Sequence, residues 1–174
     1  MTSTFNIAAT VLLAMSTSVL QARQDKSTTR TATAESRQTL KVLRFEAAAL
    51  HKEADEFVAT ASNSSLSSES HLAALEAMKH DLNLMGGEIS SLESQRETIS
   101  VWEQQAVDKT LPLLKDTAAN IENAIKFYND NEPHLWVGQT YRDYADKIFS
   151  DSEQMERTLK NLVKLDRMHG KNSG

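Results

Sequence analysis

The chain has 174 residues, a formal charge of −5 and no cysteine. The missing thiol excludes cysteine nucleophiles, zinc-thiolate and iron-sulfur sites, covalent haem attachment and a lipid anchor on cysteine. With 24 acidic against 19 basic residues and no basic tract, there is no electrostatic footprint for nucleic acid. Five Gly and two Pro leave little punctuation for hairpins, and the composition favours helix throughout.

Residues 1–22 contain no Asp, Glu, Lys or Arg. Ile7 to Met15 is an apolar run of signal-peptide length, and Leu20-Gln21-Ala22 offers a small residue before a cut. A signal peptide over 1–22, cleaved after Ala22, is therefore expected, although Arg23 and Lys26 follow the run where the basic residues usually precede it. The run is too short to span a bilayer, so no transmembrane span is expected in the mature chain. Residues 23–33, rich in Thr, Ser, Arg and Gln, read as a flexible lead-in.

From Leu40 onward apolar residues recur in alternating steps of three and four, which places them on one stripe of a helix. Leu40, Leu43, Ala47, Leu50, Ala54, Phe57 and Ala61 predict a first helix over 34–61, closed by the serine-rich stretch 63–68. Leu75, Met78, Leu82, Met85, Ile89 and Leu92 predict a second over 68–93. Ser100 and Glu103 have the spacing of a capping box, so a third helix is expected over 100–129, with Trp102, Ala106, Leu113, Thr117, Ile121, Ala124 and Tyr128 inward. Asn129 to Pro133 breaks the pattern. Tyr141, Tyr144, Ile148, Met155, Leu159 and Leu162 then predict a fourth helix over 139–169, with 170–174 a disordered tail.

Four rods of roughly 40 Å joined by short loops prefer up-down-up-down packing. The expected fold is thus an all-α antiparallel four-helix bundle over 34–169, following the N-terminal signal segment.

Leu84-Met85-Gly86-Gly87, Trp102 to Ala106, Leu111-Pro112-Leu113-Leu114, Ala124-Ile125 and Leu135-Trp136 with Tyr141 to Tyr144 resemble an uncharacterised family of exported bacterial α-helical proteins over about residues 66–165. The resemblance implies export and helices. It implies no activity, cofactor or partner.

Candidate sites follow from departures from regular packing. Gly86-Gly87 costs the second helix about 2 kcal/mol relative to two alanines, and Pro112 removes a backbone hydrogen bond from the third. That level is expected to hold either a close helix contact or a small apolar pocket bounded by Met85, Gly86, Gly87, Leu113, Met155 and Leu159. Trp136, Tyr141 and Tyr144, within an aromatic group that also includes Phe127, Tyr128 and Phe149, form a candidate partner surface or the plug of a core end. His51, His80, Asp116 and Asp151 fall at similar heights, yet no Glu-x-x-His pair occurs and His80 points to solvent, so no metal site is expected. Met78, Met85 and Met155 serve better as core filler than as haem ligands, and His169 sits near the terminus.

No nucleophile elbow, phosphate-cradling loop or metalloprotease motif is present. The expected protein is non-enzymatic, periplasmic or secreted, without a cofactor, and acts by binding a protein partner, the cell envelope or a small apolar ligand. The alternative is a haem- or metal-binding bundle in electron transfer or metal handling.

Overall fold

In the computed structural model the backbone is described over residues 14–61, 68–131 and 138–171, and side chains over 34–61, 69–131 and 138–165. Four helices make up the fold: α1 (Ala14–Ala61), α2 (Ser68–Ser94), α3 (Val101–Asp130) and α4 (Gln139–Lys171). Each packs against its two chain or ring neighbours, α1 against α2 and α4, and α3 against α2 and α4, while α1 and α3 touch only lightly across the diagonal. The antiparallel four-helix bundle read from the sequence is therefore the observed architecture. Among the described residues no helix is long and apolar enough to cross a membrane.

The boundaries of α2, α3 and α4 agree with the sequence reading to within one or two residues. α1 differs. It is already helical at Ala14, the first described residue, so the stretch 23–33 expected as a flexible lead-in continues the helix, and the position after Ala22 lies inside it. Neither Gly nor Pro occurs between Ala14 and Ala61, so nothing in that segment breaks a helix once one is propagating. Residues 1–13, and the expected tail beyond Lys171, lie outside the described residues.

The core follows a single rule in all four helices. The buried positions of α1 are Ser36, Leu40, Leu43, Ala47, Leu50, Ala54, Phe57 and Ala61; those of α2 are His71, Leu75, Met78, Leu82, Met85, Ile89 and Leu92. In α3 they include Glu103, Val107, Thr110, Leu114, Thr117, Ile121 and Ala124, and in α4 Tyr141, Ala145, Ile148, Ser152, Met155, Leu159 and Leu162. Each helix carries an inner stripe in steps of three or four residues, as knobs-into-holes packing requires, and Ala106 of α3, inward as expected, and Val163 of α4 are buried beside it. All six buried polar residues described, Ser36, His71, Glu103, Thr110, Thr117 and Ser152, occupy positions of these stripes.

Three expectations for α3 are corrected by this register: Tyr128, near its C-terminal end, is only partly buried, and two more fall near its start and middle. Trp102 and Leu113 are only partly buried, and their neighbours Glu103 and Leu114 take the inner positions. The reason is the partner set of Glu103. Its Oε2 accepts from the Ser100 backbone N–H at 2.6 Å and the Ser100 hydroxyl at 2.7 Å, and the Ser100 Oγ accepts from the Glu103 N–H, completing the capping box. Its Oε1 accepts from the Ser36 hydroxyl at 2.7 Å, a bond that crosses the bundle diagonal from α1 to α3. Position within the first turn of α3 adds the favourable field of the helix N-terminus to these hydrogen bonds.

Thr117 and Ser152 donate to the carbonyls of Leu113 and Phe149 within their own helices, at 2.7 and 2.8 Å. Such bonds let a hydroxyl occupy a stripe position at little cost. The Thr110 hydroxyl, by contrast, is shielded from solvent with no hydrogen-bond partner among the described residues.

Replacing Glu103 by Ala leaves the Ser100 hydroxyl as N-cap of α3 but removes the glutamate half of the capping box and the bond from the Ser36 hydroxyl across the diagonal. The expected loss is about 2–4 kcal/mol of stability, read from the urea midpoint at unchanged slope, with Ser36→Ala less costly because the capping box survives.

Candidate functional site

At the end of the bundle where α1 finishes and α2 and α4 begin, five rings pack together. Tyr141 lies edge-on to Phe57 at 5.7 Å and to His71 at 5.9 Å, and stacks with Phe127 at 6.2 Å. Phe127 also meets Tyr144 edge-on at 6.4 Å. These residues form the plug of a core end. Tyr141 is 1 % exposed, so it is an interior residue and not part of a partner surface; its place on the α4 stripe decides this. Burial, with a smaller contribution from Tyr128, pushes its phenol well above the ordinary range. Tyr144 is half-buried at the rim, and Trp136 lies outside the described residues.

Phe149 does not join the plug. It sits farther along α4, its ring 5.0 Å from His51, which in turn approaches the Ser152 hydroxyl at 3.4 Å. Of the other residues at the height of His51, His80 and Asp116 are exposed, and Asp151 is half-buried and bonded by Asn120. Among the described residues no three His, Asp or Glu side chains gather around a common point that could hold a metal ion.

At the Gly86-Gly87 level no close helix contact is imposed on the glycines. Met85, Met155 and Leu159 are fully buried in the common core, whereas Leu113 is only partly buried. A Cβ built on Gly86 would meet its nearest neighbour, the Leu114 Cδ2, at 4.0 Å, and one on Gly87 would stand in open space. Neither glycine has a positive φ. Neither close approach nor backbone conformation requires glycine here.

A cavity of about 330 Å³ lies between α1 and α2, lined by Glu53, Glu56, Phe57 and Thr60 from one helix and Ser70, His71, Ala74 and Ala77 from the other. The stripe brings Phe57 and His71 inward, and the residues flanking it, Glu53, Thr60, Ala74 and Ala77, form the walls. His71 was the position that the apolar pattern of α2 left out; one further step of four back from Leu75 reaches it. Desolvation pulls its imidazole below the ordinary histidine range, so it is neutral at pH 7.

Carboxylates dominate the charge of this seam. Glu53 is raised above the usual carboxylate range by burial, then by Asp81 across the seam and Glu56 on its own helix, with Lys52 acting in the opposite sense. Farther along, Glu46 is raised by burial and by Glu88 and Asp81 of α2. One oxygen of each, Oε2, is shielded from solvent without a hydrogen-bond donor among the described residues. Lys52 is engaged with Glu56 at 3.2 Å, an exposed pair of small energetic weight.

A second cavity, about 230 Å³, opens between α1 and α4 beside Val58, Ala61, Gln139, Arg142, Ala145 and Asp146. Its walls carry both charge signs and no aromatic ring. It offers less to an apolar ligand than the α1–α2 cavity.

Because both glycines sit in regular helix with room for a methyl group, Gly86→Ala and Gly87→Ala should each stabilise the bundle by about 0.5–1 kcal/mol, read from the thermal or urea midpoint. A loss of stability from Gly86→Ala would mean that α2 and α3 approach more tightly than described.

No protein-family model, curated protein or solved structure matches this chain.

Proposed function

We propose that this chain is an exported, non-enzymatic four-helix bundle that works by binding, and that its working site is the cavity between α1 and α2. The observation that carries the reading is the lining of that cavity. Ligand sites of small molecules are concave, largely apolar and furnished with a few polar groups that fix orientation. Phe57, Ala74 and Ala77 supply apolar wall, while Thr60, Ser70, His71 and the two glutamates supply hydrogen-bonding groups. Its volume is at the lower end of the range for small-molecule sites, so the ligand is small.

Export rests on the apolar run Ile7 to Met15 and the small residue Ala22 after it. A binding role rests on the chemistry of the cavity walls, which hold acceptors, a neutral imidazole and hydroxyls around an apolar floor. A bundle in this role is a rigid frame in which the ligand replaces packing that the helices leave incomplete.

Ala77 is exposed at the cavity wall, so a larger side chain there fills the space without entering the core stripe. The full chain and its Ala77→Trp variant, screened by thermal shift against a library of small organic molecules, provide the test. Ligands that raise the midpoint of the parent chain and leave Ala77→Trp unchanged are expected, with the variant retaining its helical circular dichroism. Absence of any such ligand, or shifts that are equal in the two proteins, would contradict the reading.

A further inference from the structure

We infer that the α1–α2 cavity takes a small organic cation, an ammonium group carried on an apolar body, with the Glu53 carboxylate as its counter-charge. The inference rests on the binding role proposed for that cavity and names the class of ligand.

Shape and apolar lining call for the body. Phe57 closes one side of the cavity and Ala74 and Ala77 the other, which suits a flat or branched hydrocarbon fragment and leaves little space for a large polar ligand. Sign and satisfaction of charge call for the cation. Every charged group lining the cavity is a carboxylate, Glu53 or Glu56, and Asp81 adds a third negative charge that acts on Glu53 from α2. An anion would meet repulsion from all three, and a neutral ligand would leave the repulsion among them unrelieved.

Glu53 is the better anchor of the two glutamates. Glu56 already holds Lys52 and is exposed, whereas Glu53 is half-buried and its Oε2 is shielded with no donor among the described residues. A shielded carboxylate oxygen without a donor is costly, and turning the Glu53 carboxylate toward an ammonium group in the cavity replaces that orphaned position with a charge-assisted hydrogen bond. His71 favours the same ligand. Held neutral by desolvation, it places no competing positive charge in the cavity.

The same groups set a pH dependence. Glu53 takes up a proton more readily than an ordinary glutamate, and His71 less readily than an ordinary histidine. As pH falls from 7 toward 5, protonation of Glu53 removes the counter-charge, while any protonation of His71 adds repulsion; both weaken a cation. Among the described residues, Lys52, a cation acting on Glu53, and the acids Asp81 and Glu56 do not reverse this sign.

The test compares three matched probes on the full chain by isothermal titration calorimetry: 2-phenylethylammonium, the neutral 2-phenylethanol and the anion 3-phenylpropanoate. Binding of the ammonium probe alone is expected, weakened roughly tenfold or more by Glu53→Gln, abolished by Ala77→Trp and weaker at pH 5 than at pH 7. Glu56→Gln should have a smaller effect than Glu53→Gln. Equal binding of the alcohol that is lost in Ala77→Trp would overturn the cation inference and leave the cavity as a binding site. Failure of all three probes would overturn the cation inference, and the thermal-shift comparison would then decide the binding role separately.

Discussion

Register along four stripes is the constraint on which the rest of this structure depends. Once each helix presents positions three and four residues apart to one shared interior, those positions are buried whatever residue occupies them. Leucine, methionine and alanine at most of them supply the hydrophobic drive. The polar residues that fall on the same positions must find their own solutions. Glu103 does so by joining the α3 cap to Ser36 across the diagonal, and Thr117 and Ser152 by bonding carbonyls one turn back. His71 does so among the rings of Phe57 and Tyr141, neutral and largely desolvated. One end of the bundle is thereby pinned by a buried carboxylate and the other plugged by aromatic rings, with the α1–α2 cavity beside the plug.

Within this frame α2 is the most lightly held element. α4 packs far more closely against α1 and α3 than α2 does. Three features of α2 share that direction: two adjacent glycines that no neighbour requires, a cavity along its contact with α1, and like charges facing each other across the same seam. Each alone is a small effect. Together they place the loosest packing of the bundle at the seam where a ligand has most to add. A ligand bound there would stabilise the folded chain by mass action and would tighten α2 more than any other helix.

Much of the fold was legible in the sequence. The apolar stripes of α1 and α2 were read residue for residue, and the Ser100 cap of α3 together with the limits of α2, α3 and α4 follow from local chemistry that does not need the rest of the protein. Polar stripe positions were harder. Glu103 was read as a capping residue only, because its second bond, to Ser36, joins residues 67 positions apart. Trp102 and Leu113 drew the inner face toward themselves as the more apolar neighbours. Continuing the alternation of three and four backward from Ala124 through Ile121 and Thr117 reaches Leu114, Thr110, Val107 and Glu103, so the correct face was present in the spacing and hidden by polarity. The same extension reaches His71 in α2. The candidate site was less legible: Gly86-Gly87 marked an irregular level, but the cavity arises where flanking residues of two helices face each other, and Glu53, Thr60, Ser70 and Ala77 carry no pattern of their own.

Amide hydrogen exchange resolved helix by helix measures most directly whether one registered core contains one weak seam. The account predicts the slowest exchange at stripe positions of α3 and α4, and distinctly faster exchange along α2, with Leu75 to Leu82 beside the cavity opening before the α3–α4 interface does. Uniform protection of all four helices, or α2 exchanging more slowly than α4, would contradict it.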